Sequence, residues 1–436
     1  MVSLGCAKNR VDAEMLLYRL QEAGFEITNE TSLADCVIVN TCGFIEAAKQ
    51  ESIEEILELA CLKNEGKIKA IVVTGCLAER YKTEIGSQLP EVDVTVGLGG
   101  NEQIVQAVTA ALNGSTFAND FNKLNLPLNG GRLQSTPRHY AYLKIADGCD
   151  NCCTYCAIPL IRGKFRSRKA EDIIAEAKML ANGGVKELLV IAQDTTRYGE
   201  DIYGKLALPA LLNELCKIEG ISAIRLLYCY PDRITDELLA TVAAQEKILN
   251  YFDIPLQHCN ERILKAMNRR GNVETLTQLI KKIRAKIPEV VIRTTFIAGF
   301  PSETQEEFDE LLSYAKDCRF ERMGCFAYSQ EENTPAALLP QQIDEDEKTR
   351  RAEVLNALSQ RIMDEFHQSL IGKSLAVITE GFDKYINRYF GRSYIDAPEV
   401  DSLLFFESAA PLAPGDIVDV QVTEIIDGEL FGQLAI

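Results

Sequence analysis

The chain has 436 residues, of which 47% are hydrophobic and 25% charged, and its net charge is −18. That is enough chain for about two to four domains with real cores, and so acidic a surface repels nucleic acid phosphates at long range while attracting basic partners. MVSLGCAKNR has no leader-like apolar stretch and no run reaches membrane-span length, so we expect a reducing cytoplasm, where 14 cysteines serve metal or catalysis rather than disulfides.

Residues 1–125 alternate short strand-like runs (MVSL, 35–41, 69–75, 92–97) with helical stretches near 10–23, 45–64, 77–88 and 102–113. Continuous apolar strands with helices between them predict a doubly wound parallel sheet. Cys6, Cys42 and Cys76 each follow one of its first three strands, beside Gly5, Gly43 and Gly75. The carboxyl edge of such a sheet is where ligands bind, and glycines let the backbone approach them closely. Three thiolates from three strand ends are therefore expected to converge on one cluster with an open iron. Cys36 and Cys61 read as core. Residues 119–138, polar with Gly and Pro, read as a linker, which we bound at 126–138.

A second α/β unit follows from 139, with strands expected at 140–146, 187–192, 223–229, 251–255, 290–297 and 321–328 and helices between, such as 170–182 and 304–317. Six such units predict a partial TIM-like barrel with its chemistry at the strands' carboxyl ends. Directly after its first strand comes DGCDNCCTYCAIP, in which Cys149, Cys153 and Cys156 form C-x-x-x-C-x-x-C. A structural zinc wants four protein ligands. Three thiolates on one tight loop instead suit a [4Fe-4S] cluster whose free iron takes a small molecule. Cys152 competes as a ligand; we prefer the first set. Gln193, Tyr230, Asp232, Gln257, His258, Gly299 and Glu303 fall just past strand ends, and Arg293 lies within a strand. Among the three histidines, His139, His258 and His367, the second is the best placed for a role at that rim.

A charged helix leads from 344, and residues 367–436 alternate short strands with Gly and Pro turns, as in a small β-barrel. Such barrels often bind nucleic acid. This one has eleven acidic against four basic residues, which suits a basic protein better.

The runs VSLGCAKNRVDAE, VNTCGFIEAAKQESIE, VVTGCLAERY, YLKIADGCDNCCTYCAIPLIRGKFRSR, AQDTTRYGED and FIAGFPSET resemble the radical S-adenosylmethionine (SAM) methylthiotransferases along essentially the whole chain. GRSYIDAPEVDS (391–402) resembles the RimO branch, whose substrate is the β-carbon of an aspartate in small-subunit ribosomal protein twelve, a very basic protein. The sister branch modifies adenosine in tRNA and should carry a basic barrel; an iron–sulfur carrier without enzymatic activity would need neither six-unit barrel nor docking module. Against this family the first strand is short, as though trimmed, and Cys152 is extra. The resemblance implies a methylthiotransferase domain at 1–125, a radical SAM domain with its connecting helix at 139–366 and a TRAM-like docking barrel at 367–436. It implies two [4Fe-4S] clusters, on Cys149, Cys153 and Cys156 and on Cys6, Cys42 and Cys76. The first cluster binds and cleaves SAM, and a second SAM methylates the inserted sulfur. By placement alone, Tyr155, Glu187, Gln193, Arg293 and Gly299 are expected at SAM, and Asp396, Glu399 and Asp401 at the substrate. A monomer served by flavodoxin or ferredoxin, without tRNA or membrane, completes the expectation.

Overall fold

The computed structural model describes residues 1–435; Ile436, the last residue of the expected C-terminal barrel, lies outside them. The first sheet holds β1 (Val2–Ser3), β2 (Cys36–Thr41), β3 (Ala70–Gly75) and β4 (Val94–Val96), in that order and all parallel. Its strands read as unbroken apolar runs because helices cover both faces. Val37, Val39, Ile71 and Val73 pack with Ile56 and Leu59, and Ile38 and Val72 pack with Leu16, Leu20 and Val108. The helix α1 (Ala7–Glu22) follows β1. The helix expected at 77–88 is broken into Cys76–Arg80 and Lys82–Gln88. Bonds from Arg80 and Tyr81 to Glu331 and Glu332 of the second unit fix that break, a tertiary demand invisible to local pattern.

The expected linker packs tightly. Leu126 is buried with Cys76, Leu98, Ala157 and Ile161, and Arg132 lies buried between Glu14 and Glu176. Next come β5 (Tyr140–Lys144), a small ribbon of β6 (Ala146–Asp147) with β7 (Arg166–Ser167), then β8 (Glu187–Ile191), β9 (Ala223–Leu226), β10 (Ile248–Asp253), β11 (Val291–Ala298) and β12 (Arg322–Ala327). Without the ribbon, these six form one parallel sheet in sequential order, an open partial barrel. Alternate residues, such as Leu143, Leu188, Val190, Ile224, Phe252 and Ile292, pack beneath the outer helices. The others, including Tyr140, Tyr142, Leu189, Tyr251 and Val291, face the opposite way.

The helix Glu345–Gln368 leads out of the barrel, capped by Asp344, with three acids in its first turn against the positive end of its dipole. It delivers a closed five-stranded barrel of β13 (Ser374–Asp383), β14 (Arg388–Arg392), β15 (Leu404–Glu407), β16 (Ile417–Ile426) and β17 (Glu429–Leu434). Every pairing is antiparallel except β15 with β17.

The connection between β14 and β15 is where the structure departs most from expectation. It lies against the inner face of the central sheet rather than open to a partner. Arg225 donates to the carbonyls of Ser393 and Tyr394, Arg322 to Asp396 (2.6 Å), Tyr251 to Asp401 (2.6 Å) and Tyr142 to Glu399 (3.1 Å). Asp396 is 1% exposed, and Glu399 pairs with Arg10 of α1. Asp396 and Asp401 therefore face the buried Arg322 and are not an external docking patch, whereas Glu399 stays exposed beside Arg10. Acidic side chains are adhesive wherever a cation meets them, and sequence alone does not say which cation.

Candidate functional site

Cys42 and Cys76 come directly after β2 and β3, and Cys6 follows β1 with two residues between, so the parallel register sets all three on one sheet edge. The neighbouring glycines make this edge possible. A Cβ on Gly5 would stand 2.7 Å from Cys42 Cβ, one on Gly43 2.8 Å from Leu77 Cα, and one on Gly75 2.5 Å from the Thr41 carbonyl. Gly5 and Gly75 also have φ of 86° and 95°, open to glycine at little cost. Burial, against which the nearby Arg162 guanidinium works, pushes the Cys76 thiol up to about 12. Arg162 Nη2 lies 3.6 Å from Cys76 Sγ.

Cys149, Cys153 and Cys156 sit on the loop after β6, which the ribbon closes. A Cβ on Gly148 would come within 2.1 Å of the Lys164 carbonyl. The Asn151 and Ile158 amides point at Cys149 and Cys156 Sγ (3.5 Å each), and Arg269 Nη1 at Cys153 Sγ (3.7 Å). Donors of this kind stabilise sulfur that carries negative charge. Burial pushes the Cys149 thiol up to about 12, so without a metal this thiol keeps its proton until a metal displaces it. Cys152 is exposed, in left-handed backbone at φ 51°, with its carbonyl held by Asn268. Among the described residues no three of His, Cys, Asp and Glu converge tightly enough for a single metal ion. A cubane cluster holds its thiolates on separate corners, and three cysteines at each place match a [4Fe-4S] cluster with one iron left open.

The segments that carry the two triads meet. Cys76 shares an apolar cluster with Ala157 and Ile161, one and five residues after Cys156. Beneath them Arg162 donates to Asp12 (2.9 Å) and Asp147 (2.8 Å), and Lys144 to the same two acids, all four at most 2% exposed. Two cations and two anions balance, and they bolt α1 to the cysteine loop. Glu331 does the same on the far side, accepting from Arg80, Ser329 and the Glu46 amide.

Of the residues expected at SAM, two lie by the loop. Gln193 follows β8, and both its amide atoms are buried without a partner among the described residues, as befits a group awaiting a ligand. Its neighbour Asp194 accepts from Asn151 of the loop (2.9 Å). Tyr155 packs near Ile263, Met267 and Phe300. Glu187 is a correction: it starts β8, at the amino end of the sheet, gripped by Arg225 and Arg392 (2.8 Å each). Those guanidiniums overcome its burial and hold its carboxyl at about 2. Gly299 is another: a Cβ there would strike Lys348 at 2.4 Å, and its amide donates to Glu303, so helix packing requires the glycine. Arg293 lies third in β11, below the rim. His258 is buried with Nε2 3.6 Å from Glu303 and belongs to the same turn. Sequence reasoning missed Arg162, Arg269 and Lys8. Only the i, i+4 spacing of Lys8 and Asp12, which places both on one face of α1, hinted at them.

Comparison with known proteins fits this geometry. Residues 1–97 match the model described as uncharacterized protein family UPF0004, 143–315 the Radical SAM superfamily and 371–435 the TRAM domain. The fold resembles a radical SAM methyltransferase, TsrM from Kitasatospora setae (TM-score 0.58, 14% identity, 77% of this chain and 74% of that one). The chain is 46% identical to the ribosomal protein uS12 methylthiotransferase RimO of Thermoanaerobacter sp., over 99% of both chains. With that of Desulforamulus reducens it shares 48%, over 100% of this chain and 99% of the relative. Partial barrel, three-cysteine loop and superfamily match together define a radical SAM enzyme, which implies SAM and a [4Fe-4S] cluster. Within that class, the chain belongs to the RimO methylthiotransferase family.

Proposed function

We propose that this enzyme methylthiolates the β-carbon of an aspartate in ribosomal protein uS12, using two [4Fe-4S] clusters and SAM. The observation that carries this reading is a second set of three cysteines on one sheet edge, whose Cys76 packs against the segment after Cys156 with Arg162 at its sulfur. A single-cluster radical enzyme has no use for that set. Cys149, Cys153 and Cys156 would hold the SAM-binding cluster, and Cys6, Cys42 and Cys76 the second. When bound, these groups supply one-electron cleavage of SAM and a methylated sulfur for insertion.

The chain's own contribution is placement and protection. Arg269 and the Asn151 and Ile158 amides face the sulfurs of one triad, and Arg162 that of Cys76. Leu98, Leu126, Ala157 and Ile161 keep water from the seam between them. The Gln193 amide is free to meet the polar end of SAM. We assign residues 1–125 to the second cluster, 139–366 to radical chemistry and 367–436 to substrate docking, through the acidic outer surface of the barrel rather than the inward-facing Asp396 and Asp401. A cytoplasmic monomer reduced by flavodoxin or ferredoxin completes the proposal. Among the described residues no helix is long and apolar enough to cross a membrane.

The test is anaerobic reaction of cluster-loaded enzyme, SAM and reductant with uS12 in one vessel and unmodified tRNA in another, followed by mass spectrometry. A methylthio gain on an aspartate of uS12 is expected. A gain on tRNA alone would overturn the substrate but not the chemistry.

A further inference from the structure

Lys8 stands two residues after Cys6 in α1 and is 7% exposed. Most other cations buried around the two triads have carboxylates: Lys144 and Arg162 share Asp12 and Asp147, and Arg225 and Arg392 share Glu187, while Arg269 faces Cys153 Sγ and the Pro255 carbonyl. Lys8 has none within ion-pair distance among the described residues; its ammonium lies 3.2 Å over the centroid of the Tyr228 ring. A cation–π contact offsets only part of the cost of taking an ammonium out of water, so the remainder calls for an anion.

Tyr228 is held for this contact. Its backbone is left-handed at φ 61°, its carbonyl accepts from the Thr195 amide and hydroxyl (3.1 Å each), and its amide donates to Asp253 (2.9 Å). A strained residue fixed from three directions marks a site rather than a packing accident. Arg293 completes the group. Its charge faces Tyr228, Asp253, Tyr251 and Asp401, yet it too forms no ion pair among the described residues. Asp401 is occupied by the Tyr251 hydroxyl and the Ala397 amide. Two cations thus look on one remaining carboxylate, Asp253, and the Cys6 sulfur is the other group that draws on the Lys8 charge, so Lys8 and Arg293 stand at the Cys6 edge without a carboxylate each.

We propose that Lys8, with Arg293 behind it, receives the side-chain carboxylate of the substrate aspartate; this rests on the function proposed above. The β-carbon of aspartate is bonded directly to that carboxylate. Anchoring the carboxylate two residues from Cys6 therefore holds the reacting carbon at the edge from which sulfur would be delivered. Asparagine, of the same shape, would present its carboxamide without the charge. Lys8 is then a substrate-positioning residue that selects acid over amide.

The probes are two synthetic peptides spanning the modified segment of uS12, one with the aspartate and one with asparagine in its place. Binding to cluster-loaded enzyme is read by fluorescence anisotropy, and turnover by methylthio mass gain. Wild type should bind the aspartate peptide at least about tenfold more tightly, the range of a hydrogen bond to a charged group. Lys8→Met should bring the ratio near one, and Lys8→Arg should retain most of it. An unchanged ratio in Lys8→Met overturns the inference, including the case in which both peptides and SAM weaken alike, since Lys8 would then serve cluster or cofactor. Equal binding of both peptides by wild type overturns it without any variant, should Lys8→Met fail to load clusters. Selective binding with no methylthio gain would sink the proposed function and leave this inference standing.

Discussion

At the scale of residues, the cysteines divide by position. Cys149→Ala should abolish SAM cleavage, whereas Cys42→Ala should spare it and block sulfur insertion. A Cys42 variant that still methylthiolates uS12 would refute the assignment of two clusters. Gly5 is the sharper probe, because it removes no ligand. At φ 86° an alanine costs about 1–2 kcal/mol in backbone strain alone. Its methyl would also collide with Cys42. Iron content of Gly5→Ala should fall by about half, with SAM cleavage retained; full iron content would show that the glycine is not needed for the close approach. The six cysteines were legible as one motif and one pattern of strand ends. The groups around them were not. Arg269 follows a helix that bears no motif, and only the fold carries its guanidinium to Cys153.

At the scale of elements, helix α1 is tied to the central barrel by charge. Asp12 sits on α1, Lys144 on β5 and Asp147 and Arg162 on either side of the cysteine loop, in a balanced network shielded from water. Removing one partner of such a network leaves a buried charge uncompensated, so Asp12→Ala should lose about 3–5 kcal/mol of stability in chemical denaturation. A loss below about 1 kcal/mol would show the network to be solvated. Strand and helix periods were readable throughout: the helix expected at 170–182 spans Ala170–Asn182. The break at Tyr81 was not, because its cause lies some 250 residues away at Glu331 and Glu332.

At the scale of the molecule, the C-terminal barrel is docked through buried ions, and acid should loosen it. His367 is held at about 4, below its ordinary value, because burial and the Arg322 guanidinium oppose its protonation. The unfolded chain takes that proton first. The stabilisation is complete above about pH 6.5 and is lost as pH falls towards 4. Glu187, at about 2, adds a second loss only below about pH 4.5. Thermal unfolding followed from pH 7 to 4 should show stability falling from about pH 6.5, and His367→Gln should flatten that first decline. A profile unchanged by the substitution would place the acid-sensitive group elsewhere. Reversing charge at Asp396 or Asp401 should likewise destabilise the fold before it touches substrate affinity, since both acids face inward.

The sequence by itself determined the three sheets, the radical SAM loop and the family, because strand period, glycine punctuation and cysteine spacing are local properties of a chain. Tertiary structure alone decided what the charges do. Glu187 left the cofactor for Arg225 and Arg392, Asp396 and Asp401 turned inward, and Lys8 came to rest without a carboxylate partner among the described residues. Charge has no period to read along the chain. Its meaning depends on the partner and the burial that folding supplies, and both come from residues far away in sequence.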